Sequence, residues 1–406
     1  MFEWVRASVS ADPGGSMSSW PRPAPQTVDF DVAAHPVRIP RERVATWSVI
    51  AAWWALSRVL VVATAAGIQL LRWPRPSWYA AHEHAFALLG AWDGRWYRMI
   101  AARGYVAVPH HQSDTAFFPL LPLLLRAGRS VGIPFDATGF VVANTFLLVA
   151  MVALYELNRL WTDDRTALRA AAFVALFPTG YVFSMVYPES IVLAAFAVAA
   201  IFATKRRWNA ATVAAVVAAL ARPEAIFLVI PLGAAALRSW RSARNVERCS
   251  AVTAALAAPA AIAGLCVYDW RLFHDPVAFA SAEREWGRIT SRDGAWRAID
   301  ELIHSIGTTN VWLFRDAAFC ILTIVLLGVA LRAGVPRSWV VAGALIVLTP
   351  LTTGSFTSDA RFGLLAIPVY TGLAVVARRR AIDVALRSAC SVGLIAATAT
   401  ILLRWP

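Results

Sequence analysis

Apolar residues along this chain come in long blocks separated by short polar segments rich in arginine. With a window near 19 residues, the blocks fall at 44–70, 136–160, 170–187, 188–204, 209–221, 224–237, 249–270, 311–331, 338–351, 362–377 and 381–403. Blocks of this kind predict membrane helices, about eleven in number. Several are shorter than the roughly 20 residues that cross a bilayer. The stretch 209–237 reads either as one long helix or as two short ones broken at Arg222-Pro223-Glu224.

Positive charge decides between these. If 209–237 crossed once, the basic segments 205–207 and 238–248 would lie on opposite faces, against the excess of Lys and Arg in cytoplasmic loops. Two short helices meeting outside keep both segments inside. The same reasoning makes 170–204 a hairpin turning at Tyr187-Pro188-Glu189. Segments 161–169, 205–208, 238–248, 332–337 and 378–380 are then cytoplasmic. Segments 71–135, 271–310 and 352–361, with the turns at 187–189 and 222–224, are outer. Six of the seven histidines, all but His35, fall on the outer side, and function is expected in its loops.

Composition sharpens the class. The chain is 59% hydrophobic and 16% charged, with a mean hydropathy of +0.57, where a soluble domain has about 45–50% and about 25%. These values exclude a water-soluble protein and predict an all-α integral membrane fold. A net charge of +13 would raise the question of nucleic acid in a soluble chain. Here the basic runs Lys205-Arg206-Arg207 and Arg378-Arg379-Arg380 sit between apolar blocks, so the expected partner is membrane lipid and not nucleic acid. Cys249, Cys266, Cys320 and Cys390 lie in or beside apolar runs without metal or disulfide spacing. Residues 1–43 are Pro-rich and polar with no apolar core of a signal peptide. They are expected to form a disordered cytoplasmic tail ahead of a polytopic domain, 44–406.

Candidate chemistry gathers in the outer segments. In Trp92-Asp93-Gly94-Arg95-Trp96-Tyr97-Arg98-Met99-Ile100, Trp92, Trp96 and Ile100 recur every four residues with Tyr97 and Met99 beside them. That spacing predicts an amphipathic interfacial helix, ended by Gly104. Asp93 falls in its first turn, where a carboxylate serves as an N-cap or as a general base toward a hydroxyl; one residue can do both. Phe117-Phe118-Pro119-Leu120-Leu121-Pro122-Leu123-Leu124-Leu125-Arg126 is too short to span and predicts a second interfacial helix or a kinked entry into the next span.

The run Trp92–Tyr105 followed by Phe117-Phe118-Pro119-Leu120-Leu121-Pro122 resembles the signature of the phosphatidylinositol-glycan class V (PIG-V) mannosyltransferases and their bacterial relatives. Tyr187-Pro188-Glu189-Ser190 is similar to that family's Tyr-Thr-Glu-Ser stretch, with Pro188 replacing Thr. Asp275-Pro276-Val277-Ala278-Phe279 with Trp286 and Arg288, and Ser358-Asp359-Ala360-Arg361-Phe362 with Pro368, resemble its later elements. The resemblance runs over about 44–377. It implies a GT-C glycosyltransferase of about 11 transmembrane helices. Such an enzyme takes sugar, mannose in this family, from a polyprenyl-phosphate donor to a glycolipid or envelope glycan, with inversion. It also implies an acidic base in the first outer loop, a position that Asp93 matches. No GxGxxG or P-loop sequence is present, as fits a lipid-linked donor rather than a soluble nucleotide sugar.

A departing lipid phosphate develops negative charge that arginine's fork meets well. Arg361 is the first candidate and Arg222 the second, although simple pairing with Glu224 or with lipid headgroups is favoured over phosphate binding for Arg222; His274 is a third, or a surface histidine. Arg58, in the outer half of the first span, is structural or touches the donor. Glu189, Trp92, Arg95 and Tyr97 are candidates for sugar or acceptor contact. His82-x-His84 and His110-His111 lack a zinc framework, so no metal and no cofactor beyond the lipid-linked substrate is expected. A transporter or flippase of lipid-linked sugar is the alternative, because broken helices and intramembrane charges also mark transport sites.

Overall fold

A computed structural model describes residues 41–71, 85–107, 111–308 and 310–403. The expected tail therefore lies outside the described residues up to position 40, and helix begins at Arg41 rather than after residue 43. Among the described residues the protein is helical, without a strand.

The order begins with α1 (Arg41–Leu70), α2 (Ala85–Leu89), α3 (Asp93–Arg103), α4 (Leu120–Ser130) and α5 (Phe135–Asn158). Next come α6 (Asp164–Leu176), α7 (Glu189–Thr204), α8 (Trp208–Ala221), α9 (Val229–Ser239) and α10 (Asn245–Phe273). The chain continues with α11 (Ala278–Glu283), α12 (Gly294–His304), α13 (Val311–Arg332) and α14 (Arg337–Leu348). It closes with α15 (Asp359–Phe362), α16 (Ile367–Val376) and α17 (Arg380–Leu403).

All eleven apolar blocks contain helix, but among the described residues five helices are long and apolar enough to cross a membrane on their own: α1, α5, α10, α13 and α17. A sixth forms if Asp359–Leu365 and Ile367–Val376, bent by 89°, act as one span. The others are cut short by sequence. Pro178 follows the end of α6, and the residue before a proline is pushed out of helical geometry. Pro223 does the same to Arg222, whose φ of −158° and ψ of 149° are extended.

The core is built around α7, in which 12 of 16 residues are buried. It packs on α5 and α8, and α8 in turn packs on an alanine stripe of α10, Ala251, Ala254, Ala255 and Ala258. Small residues let backbones approach closely where lipid removes the hydrophobic drive for helix association. The same economy of size positions the segment that carries α3. Val186, just ahead of α7, is a peg between two glycines: a Cβ on Gly139 of α5 would lie 2.6 Å from Val186 Cγ1, and one on Gly94 of α3 would lie 3.2 Å from its Cβ.

The two groups of loops separated by charge are also separated in space. Segments around 93, 187, 222, 286 and 361 meet at one end of the bundle. Basic segments meet elsewhere: Arg169 pairs with Asp383 at 3.4 Å, and Arg206 with Glu247 at 3.3 Å.

Candidate active site

Helix α3 is entered through a strained residue. Trp92 has φ 65° and ψ −127°, a region that costs a non-glycine residue about 1–3 kcal/mol. Two contacts hold it there. The Trp92 indole N–H donates to the Ile401 carbonyl of α17 at 3.2 Å, and the Asp93 backbone N–H donates to the Tyr187 hydroxyl at 3.3 Å. Gly104, at φ 84°, ends the helix as expected, its N–H bonding the Ile100 carbonyl. The buried stripe is Gly94, Tyr97, Ile100 and Ala101, about one residue round from the Trp92–Trp96–Ile100 stripe expected. Burial pushes the Tyr97 phenol well above its ordinary value. The helix at 120–130 is separate from α5, turning at 131–134, which settles the second segment as a helix of its own.

Asp93 is not the N-cap: that position is Trp92, and no side chain caps the helix. The Asp93 carboxylate instead accepts from Arg361. From there a ladder of alternating charge runs inward. Arg361 Nε lies 3.4 Å from Glu189 Oε1, which accepts from Arg222 Nη1 at 2.6 Å. Arg222 donates through Nε and Nη2 to the two oxygens of Glu224 at 2.9 and 2.8 Å. Arg222 also lies over the Phe362 ring and Arg361 over the Tyr187 ring, at 5.2 and 5.5 Å.

The rungs come from α3, α7, α15 and the break after α8; Arg222 and Glu224 are near neighbours in sequence, and the other links join separate elements. Three carboxylates face two guanidinium groups, a formal excess of one negative charge. Buried charges are tolerated only when paired and hydrogen-bonded. Burial alone would push the Glu224 carboxyl up, but the bidentate Arg222 outweighs it and holds the carboxyl below its usual range. Side-chain exposure grows from 0% at Glu189 to 19% at Arg361 and 31% at Asp93, so the ladder opens at Asp93.

It opens into a cavity of about 330 Å³. Asp93, Tyr97, Arg222, Glu224 and Arg361 form part of its wall; Phe118, Phe227, Phe279 and Pro350 form an apolar part. An aromatic cluster borders it. Trp96 stacks on Phe117 at 5.7 Å, and Trp286 meets the two edge-on at 5.6 and 6.0 Å. Arg288 is a third arginine on the cavity. It pairs with Glu283 at 3.2 Å and donates to the Ser358 hydroxyl at 2.9 Å. Ser358 is itself held at φ 75°, its N–H donating to Asp316 at 2.7 Å, so one turn positions both Arg288 and Arg361.

Of the residues singled out from sequence, Asp93, Tyr97, Arg222 and Arg361 share the cavity, and Glu189 lies behind it as the link between the two arginines. Trp92 points toward α17 and Arg95 is exposed; neither lines the cavity. His274 is an exposed left-handed C-cap of α10, away from this wall. Arg58 is buried and serves the backbone: it donates to Ser184 Oγ at 2.7 Å and to the Ala175 carbonyl at 3.2 Å, tying down the segment between α6 and α7. Glu224 pairs with Arg222, the structural use expected for that arginine, while Arg288, Trp286 and Tyr187, which stand within the resembling segments, carry parts of the site for which the sequence alone gives no role. His82, His84 and His110 lie outside the described residues. Among the described residues no group of three or more His, Cys, Asp or Glu is arranged to hold a metal ion.

No protein-family profile matches the sequence, and no curated protein matches it. Among solved structures, the chain is similar to the archaeal oligosaccharyltransferase AglB from Archaeoglobus fulgidus in complex with an inhibitory peptide and a dolichol-phosphate. Identity is 13% over 90% of this chain and 56% of that one, with a TM-score of 0.43. It is also similar to the apo form of the Archaeoglobus fulgidus oligosaccharyltransferase, at 13% identity over 86% and 56% of the two chains, with a TM-score of 0.43. The chain thus spans a little over half the length of these structures. At these values the likeness carries no activity across to it.

Proposed function

We propose that the protein is a multi-pass membrane glycosyltransferase of the GT-C type. It moves a sugar, mannose by the resemblance in its outer segments, from a polyprenyl-phosphate donor to a hydroxyl of a glycolipid or envelope glycan on the extracytoplasmic face. The observation that carries the reading is the Asp93 carboxylate, the most open rung of a buried charge ladder, set beside three arginines on one cavity.

In this reading Asp93 takes the proton of the acceptor hydroxyl as the acceptor oxygen attacks the anomeric carbon. The bond from that carbon to the phosphate oxygen breaks, and the phosphate departs with the electron pair. Arg361 does two things: its fork orients Asp93 in the resting site, and it faces the cavity where the leaving phosphate gathers charge. Arg288 replaces His274 as a further phosphate contact, because its guanidinium is shared only with Glu283 and a hydroxyl. Arg222, held by two carboxylates, acts mainly by fixing Glu189 beneath Arg361. Tyr97 and the Trp96–Phe117–Trp286 cluster offer hydroxyl and ring faces to a pyranose.

Purified protein in liposomes, given radiolabelled polyprenyl-phosphate mannose and a membrane glycolipid extract, tests this. The wild-type chain is expected to label a glycolipid and Asp93→Asn is not. Near-normal transfer by Asp93→Asn removes Asp93 as the base. Movement of the donor across the bilayer without transfer favours a flippase, and labelling of residues 92–105 from the cytosol overturns the topology.

A further inference from the structure

Helix α12 divides its surface sharply. Gly294 and Ala298 are buried against the turn that follows α14: a Cβ on Gly294 would strike the Thr352 carbonyl, and Arg297 lies against Gly354. Ser291, just ahead of the helix, donates its N–H to Thr352 at 3.0 Å. Turned away from that seam is a second apolar strip made of Trp296, Ile299, Ile303 and Ile306, which are 74%, 40%, 57% and 70% exposed. Within the helix, at 100° per residue, Trp296, Ile299 and Ile303 cover an arc of about 60°, and Ile306 follows in the turn just past its end. Arg297, Asp300, Glu301 and His304 occupy the arc between Trp296 and the buried seam.

Four large apolar side chains on one exposed strip call for a cover. The chain itself indicates which. Helix α13, a span, starts seven residues after α12 ends. Its first turn exposes Val311 at 71% and Phe314 at 36%, so exposed apolar side chains run on in sequence from the strip, through Ile306, into the start of a crossing helix. The polar arc carries one arginine against two acids, with His304 against Asp300 at 3.2 Å, which gives an anionic headgroup no net attraction.

We propose that α12 lies in the boundary between acyl chains and headgroups at the cavity end of the bundle, its Trp296–Ile306 strip inserted by apolar contact alone. The geometry gives this insertion a consequence. Arg288 and Thr290 precede α12, Thr349, Pro350 and Thr353 belong to the turn it clamps, and all five line the cavity. One wall of the cavity is therefore hung from the bilayer surface.

The full chain is tested in nanodiscs, one copy per disc, with an environment-sensitive fluorescent amino acid placed singly at 296, 299, 300, 303 or 304. All five positions are exposed, so the probe burdens no core. Phosphatidylcholine with brominated acyl chains is expected to quench 296, 299 and 303 several-fold more than 300 and 304, unchanged when anionic lipid is added. Uniformly weak quenching with water-like emission overturns the proposal. So does quenching that appears only with anionic lipid, or protection that appears only with two copies per disc.

Discussion

The two ends of the bundle use the same ion-pair chemistry for different ends. At the basic end, Arg206 and Glu247 pair at 3.3 Å with side chains 44% and 27% exposed, where water and salt screen the attraction. At the cavity end, Glu189 is fully buried and Arg222 is 10% exposed, joined at 2.6 Å, and each carboxylate shares a guanidinium with the next. One arrangement is a pair that either partner can leave. The other is a chain in which loss of one member strands its neighbours, and its most exposed member is Asp93.

This contrast can be broken in order of expected effect. Asp93→Asn keeps the shape of the last rung but not its basicity, so transfer is expected to fall by about 10²–10⁴-fold with the thermal transition in detergent near that of the wild type. Arg222→Ala leaves Glu189 and Glu224 without their shared cation; breaking a buried pair costs about 3–5 kcal/mol, and a clearly lowered melting temperature is the result to look for. Arg361→Lys preserves charge but loses the fork; a drop in transfer of roughly tenfold, equal to about 1.4 kcal/mol, is expected in the same radiolabel assay, and an unchanged rate argues against phosphate contact. Arg206→Ala, at the other end, is expected to change stability by less than about 1 kcal/mol and transfer not at all. If thermal scans found Arg206→Ala as damaging as Arg222→Ala, the contrast between the ends would be lost.

Much of the scaffold was legible because it depends on local properties. Runs of apolar residues mark the helices, arginines sort the loops, and Pro223 announces the break that places Arg222 on the cavity. Length misled where periodic apolarity does not distinguish a crossing helix from a short buried one. That is how eleven blocks became five long spans with shorter helices between them. The face of α3 was misread for a related reason. Gly94 has no apolar weight in a pattern, yet its missing side chain is what admits Val186 and so turns the helix toward Tyr97. Only the Arg222–Glu224 rung is legible in sequence; the links to Glu189 and Asp93 join residues 33 and 268 positions apart, and nothing in one sequence says which distant acid will meet which arginine. The apolar strip of α12 was overlooked within a long polar loop, although its spacing was present in the sequence.

The Val186 peg has an effect beyond packing. It wedges α3 and the first half of α5 apart by a fixed amount and bonds its own N–H to Leu89, so any tilt of α5 is handed directly to the helix that carries Asp93. A bilayer thinner than the spans prefer makes helices tilt. Reaction rate in this protein should therefore track acyl-chain length, through a lever on which no lipid needs to press.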